Sequence, residues 1–201
     1  MQGPLRQAII LLLGLITSPA WACSCLWQGS FADILANSTH VVHGSIATIK
    51  GNSIDIRVIA NLKGDTYFDT VRLWGNTGDL CRAEVDQFDL DEEWIFALTK
   101  IDEVPSDGFN PMTPNLSFGR VGDYALPGCG GYFLKVHDGW VSGPIIDTTR
   151  WDFEPDITPV LLRLLTGYIE GTVSRQELKA ATEVDPALRE LMINTRLHIK
   201  R

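Results

Sequence analysis

Four cysteines constrain the fold of this 201-residue chain more than any other feature. They lie at positions 23, 25, 81 and 129, and the first two follow closely on the apolar stretch Ala8–Ile16. An even number of cysteines in an exported chain predicts two disulfides. A bridge between Cys23 and Cys25 would close over a single residue, which disulfide geometry disfavours. We therefore expect each early cysteine to bond to one of the two late cysteines, which would tie the N-terminal region to the middle of the chain.

The first 22 residues have the pattern of a secretory signal peptide. Arg6 supplies the positive charge, Ala8–Ile16 forms the apolar core, and Ala20-Trp21-Ala22 fits the small-x-small cleavage rule. The apolar core of about nine residues is shorter than the roughly 20 that a membrane span needs. We expect no transmembrane span, cleavage after Ala22, and export of a mature chain that begins at Cys23.

The charge balance argues against nucleic-acid binding. The chain has 17 basic and 25 acidic side chains, a net charge of −8, and loss of Arg6 with the signal peptide makes it more negative. Binding to a phosphate backbone depends on clustered Lys and Arg, and the sequence has no basic stripe. The acidic run Asp86–Glu93 is interpreted as a solvated loop before a strand, with a cation site as the alternative.

Strand patterns dominate the middle of the chain. The five predicted strands are Thr39–Lys50, Ser53–Leu62, Thr70–Trp74, Trp94–Leu98 and Tyr132–Val136. Gly44 interrupts the first as a candidate bulge, the fully apolar Trp94–Leu98 predicts a central strand, and Gly139–Val141 would extend the last into a hairpin. Five strands with meandering connections predict a mainly β fold, a small closed or partly open antiparallel barrel. The long segment Lys100–Gly128 is interpreted as a loop, either functional or disordered.

Capping sequences predict several helix starts. Ser30 with Asp33 would open a short helix near residues 31–36, and Ser174 with Glu177 would open one that reaches about residue 183. Asp185-Pro186 predicts a further helix.

The sequence divides into three predicted parts. They are a signal peptide at 1–22, a barrel domain at 23–149 and a helical extension at 150–201. The first helix of the extension is predicted over Asp156–Ile169, where apolar residues recur at helical spacing. We expect the extension to pack on the barrel or on a partner.

No enzyme motif is recognisable. The sequence lacks H-E-x-x-H, G-x-S-x-G and a phosphate-binding loop. His40 and His43 lie three residues apart on a predicted strand, so they face opposite sides and would share a metal only across a bulge. The cysteines lack the C-x2-C spacing of a zinc knuckle, and oxidised cysteines do not ligate zinc. We therefore predict no catalytic residue, no metal site of the chain's own and no cofactor.

The predicted mature N-terminus carries an unusual chemical group. Cleavage after Ala22 frees the α-amine of Cys23, which is partly neutral near physiological pH. This amine and the Cys23 carbonyl oxygen can chelate a metal ion, and a catalytic zinc keeps one coordination position open. A terminus clamped by two disulfides could fill that position in another protein with little loss of ordering entropy. The side chain of Ser24 would then enter the first specificity pocket of the target.

These features resemble the tissue inhibitors of metalloproteinases and, more broadly, the netrin-like module, whose barrel is an OB-fold. The matching residues are Cys23-Ser24-Cys25, Phe31-Ala32-Asp33, Val41–Ile46, Asn61–Asp65, Cys81, Phe88, Glu92–Leu98 and Cys129, which span roughly residues 23–140. The resemblance implies an OB-fold-like five-stranded barrel and the bridges Cys23–Cys81 and Cys25–Cys129.

The resemblance also implies how the chain would act. Cys23 would chelate the zinc of an extracellular or periplasmic metalloprotease, and Ser24, Cys25, Leu26 and Trp27 would form an inhibitory ridge. Animal inhibitors of this kind carry more cysteines and a second disulfide-rich domain, which a helical extension replaces here. This simpler layout looks like bacterial netrin-like proteins and implies a periplasmic or secreted location.

Two alternatives stay open at this point. Netrin-like modules also occur as docking domains, so the chain could be an exported binding or structural domain that inhibits no protease. A cysteine directly after a signal peptide is also where lipid attaches to lipoproteins. Ala20-Trp21-Ala22 is a poor lipobox, however, and acylation of Cys23 would consume a thiol needed for a bridge.

Overall fold

The computed structural model describes residues 26–77, 80–104, 116–148 and 159–183. The predicted signal peptide, the first two cysteines and the predicted helix at Pro186 lie outside these residues. The described strands are β1 His40–Lys50, β2 Ser53–Lys63, β3 Thr70–Trp74, β4 Glu93–Lys100, β5 Tyr124–Ala125, β6 Phe133–His137, β7 Trp140–Ser142 and β8 Val160–Leu161. The described helices are α1 Phe31–Asn37, α2 Leu162–Ile169 and α3 Arg175–Thr182, with a 3-10 turn at Val85–Gln87.

Five of the strands close into a barrel. The sheet runs β1-β2-β3-β5-β4, and β1 pairs again with β4, which completes the ring. All pairings in the ring are antiparallel except that of β3 with β5. The predicted fold class is therefore confirmed: the protein is mainly β, with a closed, OB-fold-like barrel of five strands and a few helices, one near the C-terminus.

Bulges let β1 curve between its two partners. The register of β1 against β2 shifts at three places, one of them between His43 and Gly44. A Cβ atom at Gly44 would lie 2.4 Å from Ile56 Cγ2 and 2.7 Å from the Arg57 carbonyl oxygen. Only glycine fits where the two strands approach so closely. The bulge predicted at Gly44 is confirmed.

The fifth barrel strand is not the one that the sequence pattern indicated. The segment predicted as Tyr132–Val136 forms β6, which pairs with β4 beside the ring and continues the sheet into β7 and β8. The ring is closed instead by β5, inside the segment predicted as a long loop. A two-residue strand has no periodicity to detect, because it is defined by its partners: Tyr124 pairs with Leu73 and Ala125 with Thr99.

Two apolar cores lie on opposite faces of β1 and β4. Val42 of β1 and Phe96 of β4 point into the barrel, whereas Val41 and Ile95 point outward. The inner core also contains Ile46, Ile54, Ile56, Val71, Leu73, Phe88, Leu98 and Leu126. The outer core packs these strands and β6 to β8 against the helices, through Phe31, Ile34, Leu35, Leu134, Val136, Val141, Ile145, Val160, Leu165 and Leu178. The predicted central strand at residues 94–98 is thus buried on both faces.

The described part of the predicted helical extension belongs to the outer core. Leu165 of α2 and Leu178 of α3 are fully buried against it. The capping box predicted before α3 is confirmed, since the Glu177 N–H donates to Ser174 Oγ at 3.2 Å and the Ser174 N–H donates to Glu177 Oε2 at 2.8 Å. The first helix begins later than predicted, at Leu162, because β8 precedes it. The domain boundary at residue 150 stays a prediction.

The helix predicted after Ser30 is also observed, as α1. None of the helices in the described part of the chain has the length and apolarity that a membrane crossing requires.

Replacement of Leu178 by alanine tests whether α3 is part of the outer core. We expect the free energy of unfolding to fall by about 2–4 kcal/mol, because the substitution leaves a cavity under a fully buried side chain. Urea denaturation followed by tryptophan fluorescence measures the change. The matched control is Leu90→Ala, at a side chain that is 59% exposed, which should change stability by less than about 0.5 kcal/mol. Equal midpoints for the two variants would contradict this assignment.

Candidate functional site

Residues 26–32, which we call the N-terminal segment, run between two loops at one end of the barrel. On one side they contact the loop that follows β5. The Gln28 N–H donates to the Cys129 carbonyl oxygen at 2.7 Å, and the Gly131 N–H donates to the Gly29 carbonyl oxygen at 2.9 Å. These two bonds pair the segment with the chain around Cys129.

On its other side the N-terminal segment contacts residues 143–148, which follow β7 and which we call the β7 loop. The Phe31 N–H donates to the Pro144 carbonyl oxygen at 2.8 Å, and the Ala32 N–H donates to the Ile145 carbonyl oxygen at 2.9 Å. The segment is therefore held by backbone hydrogen bonds on both sides, the second pair from the first two residues of α1. The sequence pattern gave no sign of the β7 loop as a support, because its contacts are entirely tertiary.

Gly131 allows this close approach. A Cβ atom at this position would lie 2.4 Å from the Phe31 nitrogen and 2.8 Å from the Pro144 carbonyl oxygen. Both distances are shorter than van der Waals contact, so any side chain would push the N-terminal segment or the β7 loop away. No sequence pattern predicted this role. The Gly130-Gly131 pair was the available signal, since paired glycines mark close backbone approach.

The two late cysteines lie on neighbouring segments beside the N-terminal segment. The Gly128 N–H donates to the Cys81 carbonyl oxygen at 3.2 Å, and Cys129 Sγ lies 3.7 Å from that same oxygen. Neither late cysteine is a free thiol. Cys23 and Cys25 lie outside the described residues, so the pairing Cys23–Cys81 and Cys25–Cys129 stays a prediction.

Two residues of the predicted inhibitory ridge are described. Leu26 is 88% exposed, so its apolar side chain points into solvent. Trp27 is partly buried, and its indole Nε1–H donates to the Thr148 carbonyl oxygen at 3.1 Å. Trp27 is thus fixed to the β7 loop, while Leu26 remains available for contact. Ser24, like the first two cysteines, lies outside the described residues.

Acidic side chains flank the N-terminal segment and pair with α3. The Ser30 N–H and hydroxyl donate to Asp33 Oδ2 at 2.9 and 2.6 Å. Partial burial raises the pKa of Asp33, but the hydrogen bonds from Ser30 and the ion pair with Arg175 outweigh it, and the pKa is lowered. Lys179 first, and then Arg175, lower the pKa of Asp147 in the β7 loop. Both carboxylates therefore stay charged well below neutral pH.

A cleft of about 630 Å³ opens beside the N-terminal segment. Its walls come from the end of α1, the end of β4 and the two side chains of Gln28 and Tyr132, of which the Tyr132 hydroxyl donates to Gln28 Oε1. Burial raises the pKa of Tyr132, which keeps its hydroxyl protonated as a donor. The lining is mostly amide and hydroxyl groups and also includes Lys100 and Asp102.

The two histidines of β1 have separate partners. His43 is almost fully buried and its Nε2 lies 2.9 Å from Glu93 Oε2, whereas His40 Nδ1 bonds to the Thr39 hydroxyl at 2.8 Å. No group of three potential metal ligands occurs among the described residues.

In the acidic run, the phenyl ring of Phe88 is buried in the inner core and anchors the turn before β4.

Asn52 holds the segment predicted as a long loop at Ser117, inside that segment. It is 4% exposed. Its Nδ2 donates to the carbonyl oxygens of Gly75 at 3.2 Å and Ser117 at 2.8 Å, and its Oδ1 accepts from the Ser117 N–H at 2.9 Å. Arg82 adds a bond from its guanidinium to the Phe118 carbonyl oxygen at 2.8 Å, and burial lowers the pKa of this arginine. Asn52 lies in the short turn between β1 and β2, where no sequence pattern indicates these partners.

Comparison of the sequence with protein-family models and with curated proteins finds no match. The resemblance to tissue inhibitors of metalloproteinases therefore stays an expectation from the quoted residues.

The Gly131→Ala variant tests whether close approach at this glycine holds the N-terminal segment. The added methyl group cannot coexist with Phe31 and Pro144 in their present positions, so we expect the amides of Gln28, Phe31 and Ala32 to exchange with solvent faster. Stability should fall by about 1–3 kcal/mol. Amide exchange followed by NMR measures the first effect and urea denaturation the second.

The control is Gly139→Ala. A Cβ atom at this position would meet no neighbouring atom within 4 Å, and the φ of +77° makes alanine strained but not crowded. The substitution should lower stability by roughly 1 kcal/mol and leave exchange in the N-terminal segment unchanged. Similar local exchange in the two variants would refute the role assigned to Gly131.

Proposed function

We propose that this protein is an exported inhibitor of zinc metalloendopeptidases that binds the target's zinc through Cys23. The observation that carries the proposal is the two-sided attachment of the N-terminal segment, from Gln28 on Cys129 to Ala32 on Ile145. Two hydrogen bonds on each side leave this segment little freedom of its own. A chain held in this way presents whatever precedes it from a rigid base.

Chain length supports the predicted disulfides. Cys25 precedes Gln28 by three residues, and three residues span at most about 11 Å. Gln28 is bonded to Cys129, and Cys81 lies on the adjacent segment. Both late cysteines are therefore within reach of a short extension of the N-terminal segment. Bridges from Cys23 and Cys25 to these positions would clamp the mature terminus at the end of the barrel.

The proposed chemistry uses the open coordination position of a catalytic zinc. Zinc in a protease is bound by three protein ligands, and its fourth position is open to water or substrate. The neutral α-amine and the carbonyl oxygen of Cys23 would occupy this position, and Ser24 would enter the adjacent specificity pocket. Leu26, with its exposed side chain, would contact the rim. A clamped terminus loses little entropy on docking, which favours tight binding.

Partner and location follow from the same proposal. The partner is an extracellular or periplasmic zinc metalloprotease, and the chain itself contributes no catalytic residue. A terminus with disulfides needs an oxidising compartment, so we propose that the protein is periplasmic or secreted.

The proposal can be tested with two forms of the mature chain, one beginning at Cys23 and one with a single alanine added before it. The native form should slow peptide hydrolysis by a zinc metalloendopeptidase and leave a serine protease unaffected. The added residue removes the α-amine from Cys23, so we expect the inhibition constant to rise at least about a hundredfold, or roughly 2.7 kcal/mol of binding free energy. Intact mass and Edman degradation establish the terminus and the disulfides of each form.

Three outcomes would contradict the proposal. Equal inhibition by the two forms would refute chelation by Cys23. Absence of inhibition by a form with a free amine and two disulfides would identify the chain as a non-inhibitory binding domain. A lipid adduct on Cys23 would identify it as a lipoprotein.

A further inference from the structure

Two cationic side chains of α3 contact the elements that hold the N-terminal segment, which are α1 and the β7 loop. Arg175 and Lys179 are four residues apart and therefore lie on one face of the helix. Arg175 Nη2 lies 2.8 Å from Asp33 Oδ1 and 2.7 Å from Asp147 Oδ1. Lys179 Nζ lies 2.7 Å from Asp147 Oδ2. One arginine thus bridges two carboxylates that are far apart in the sequence.

Each of these carboxylates belongs to an element that holds the N-terminal segment. Asp33 lies in the first turn of α1, and its second oxygen accepts both hydrogen bonds from Ser30. Asp147 lies in the β7 loop, next to Thr148, whose carbonyl oxygen accepts the indole N–H of Trp27. Through these contacts the cations of α3 act on both ends of the segment.

The backbone of Asp147 has a conformation that is uncommon for a residue with a side chain. Its φ is +51°, in the left-handed region, which aspartate adopts more often than most residues other than glycine. Both cations of α3 bond to the carboxylate of this residue, so they fix its side chain within the β7 loop.

Helix α3 is itself rigidly placed. Leu178, between the two cations in sequence, is fully buried in the outer core. The Ser174–Glu177 capping box closes its first turn. The cations therefore project from a fixed helix and not from a loose tail.

We propose that α3 is a positioning element for the N-terminal segment, and that Arg175 and Lys179 are its positioning residues. By holding Asp33 and Asp147 they align α1 with the β7 loop, and the segment between them takes its direction from both. The positioning stands independently of any protease. Its contribution to inhibition, which is to orient the N-terminus before it binds the protease, rests on the proposed function.

The ion pairs are partly exposed, with side-chain accessibilities of 39–53%, so water and salt screen them. The effect of their loss should therefore be local and modest. We expect removal of both cations to accelerate amide exchange in the N-terminal segment about threefold to tenfold, which corresponds to the upper range of exposed ion-pair networks.

The test uses the full mature chain with the double substitution Arg175→Gln and Lys179→Gln. NMR exchange should be faster at the Trp27 indole N–H and at the amides of Phe31 and Ala32, and unchanged at buried amides of β4. Arg175→Lys keeps the positive charge but loses the planar guanidinium whose Nη2 donates to both carboxylates, so it should give an intermediate rate. The control is Arg163→Gln, at an exposed arginine of α2 that has no carboxylate partner among the described residues. Addition of 1 M NaCl to the unmodified protein screens the same ion pairs and should reproduce part of the effect. This measurement does not depend on whether the double variant folds.

The outcomes separate the two proposals. Local acceleration together with a threefold to tenfold rise in the inhibition constant supports both. Local acceleration in a protein that never inhibits a zinc protease supports the positioning role and overturns the proposed function. Unchanged exchange at the three N–H groups, or acceleration that is uniform through β4 as well, overturns the positioning role.

Discussion

Because β1 pairs with β2 along one edge and with β4 along the other, five strands close into a barrel. Both faces of β1 and β4 are consequently buried. Alternate side chains along each strand pack into the inner core and the outer core. The inner core fills the barrel. The outer core fastens the helices and the added strands β6 to β8 to its side. Every element that touches the N-terminal segment is attached to one of these two cores.

The N-terminal segment contributes only Phe31 and Ala32 to the outer core. The rest of its path follows backbone hydrogen bonds to the loop after β5 and to the β7 loop, and depends on the absence of a side chain at Gly131. Backbone bonds and a steric limit of this kind fix position more sharply than apolar packing, which tolerates repacking. The end of the barrel therefore combines a precisely held chain with an exposed apolar side chain at Leu26.

The sequence predicted those features that are encoded locally. Strand patterns revealed β1 and β2, capping residues at Ser30 and Ser174 located α1 and α3, and an unbroken apolar run identified β4 as a central strand. The strand β5 could not be predicted, because two residues carry no pattern and its pairing depends on where β3 and β4 lie. For the candidate site, cysteine spacing indicated which regions meet. The supports of the segment at Gly131, Asp147 and Arg175 arise only from tertiary contacts.

The order in which the chain is made has a consequence for this end of the barrel. The residues that hold the N-terminal segment lie about a hundred residues or more further along: Cys129, Pro144 and finally Arg175. Contacts with such large sequence separation carry a high entropic cost of loop closure. The earliest part of the described chain to be synthesised cannot make all of these contacts until Arg175 has been added. A polypeptide that ended before α3 would lack Arg175 and Lys179. Its N-terminal segment would therefore lack the ion pairs that position it.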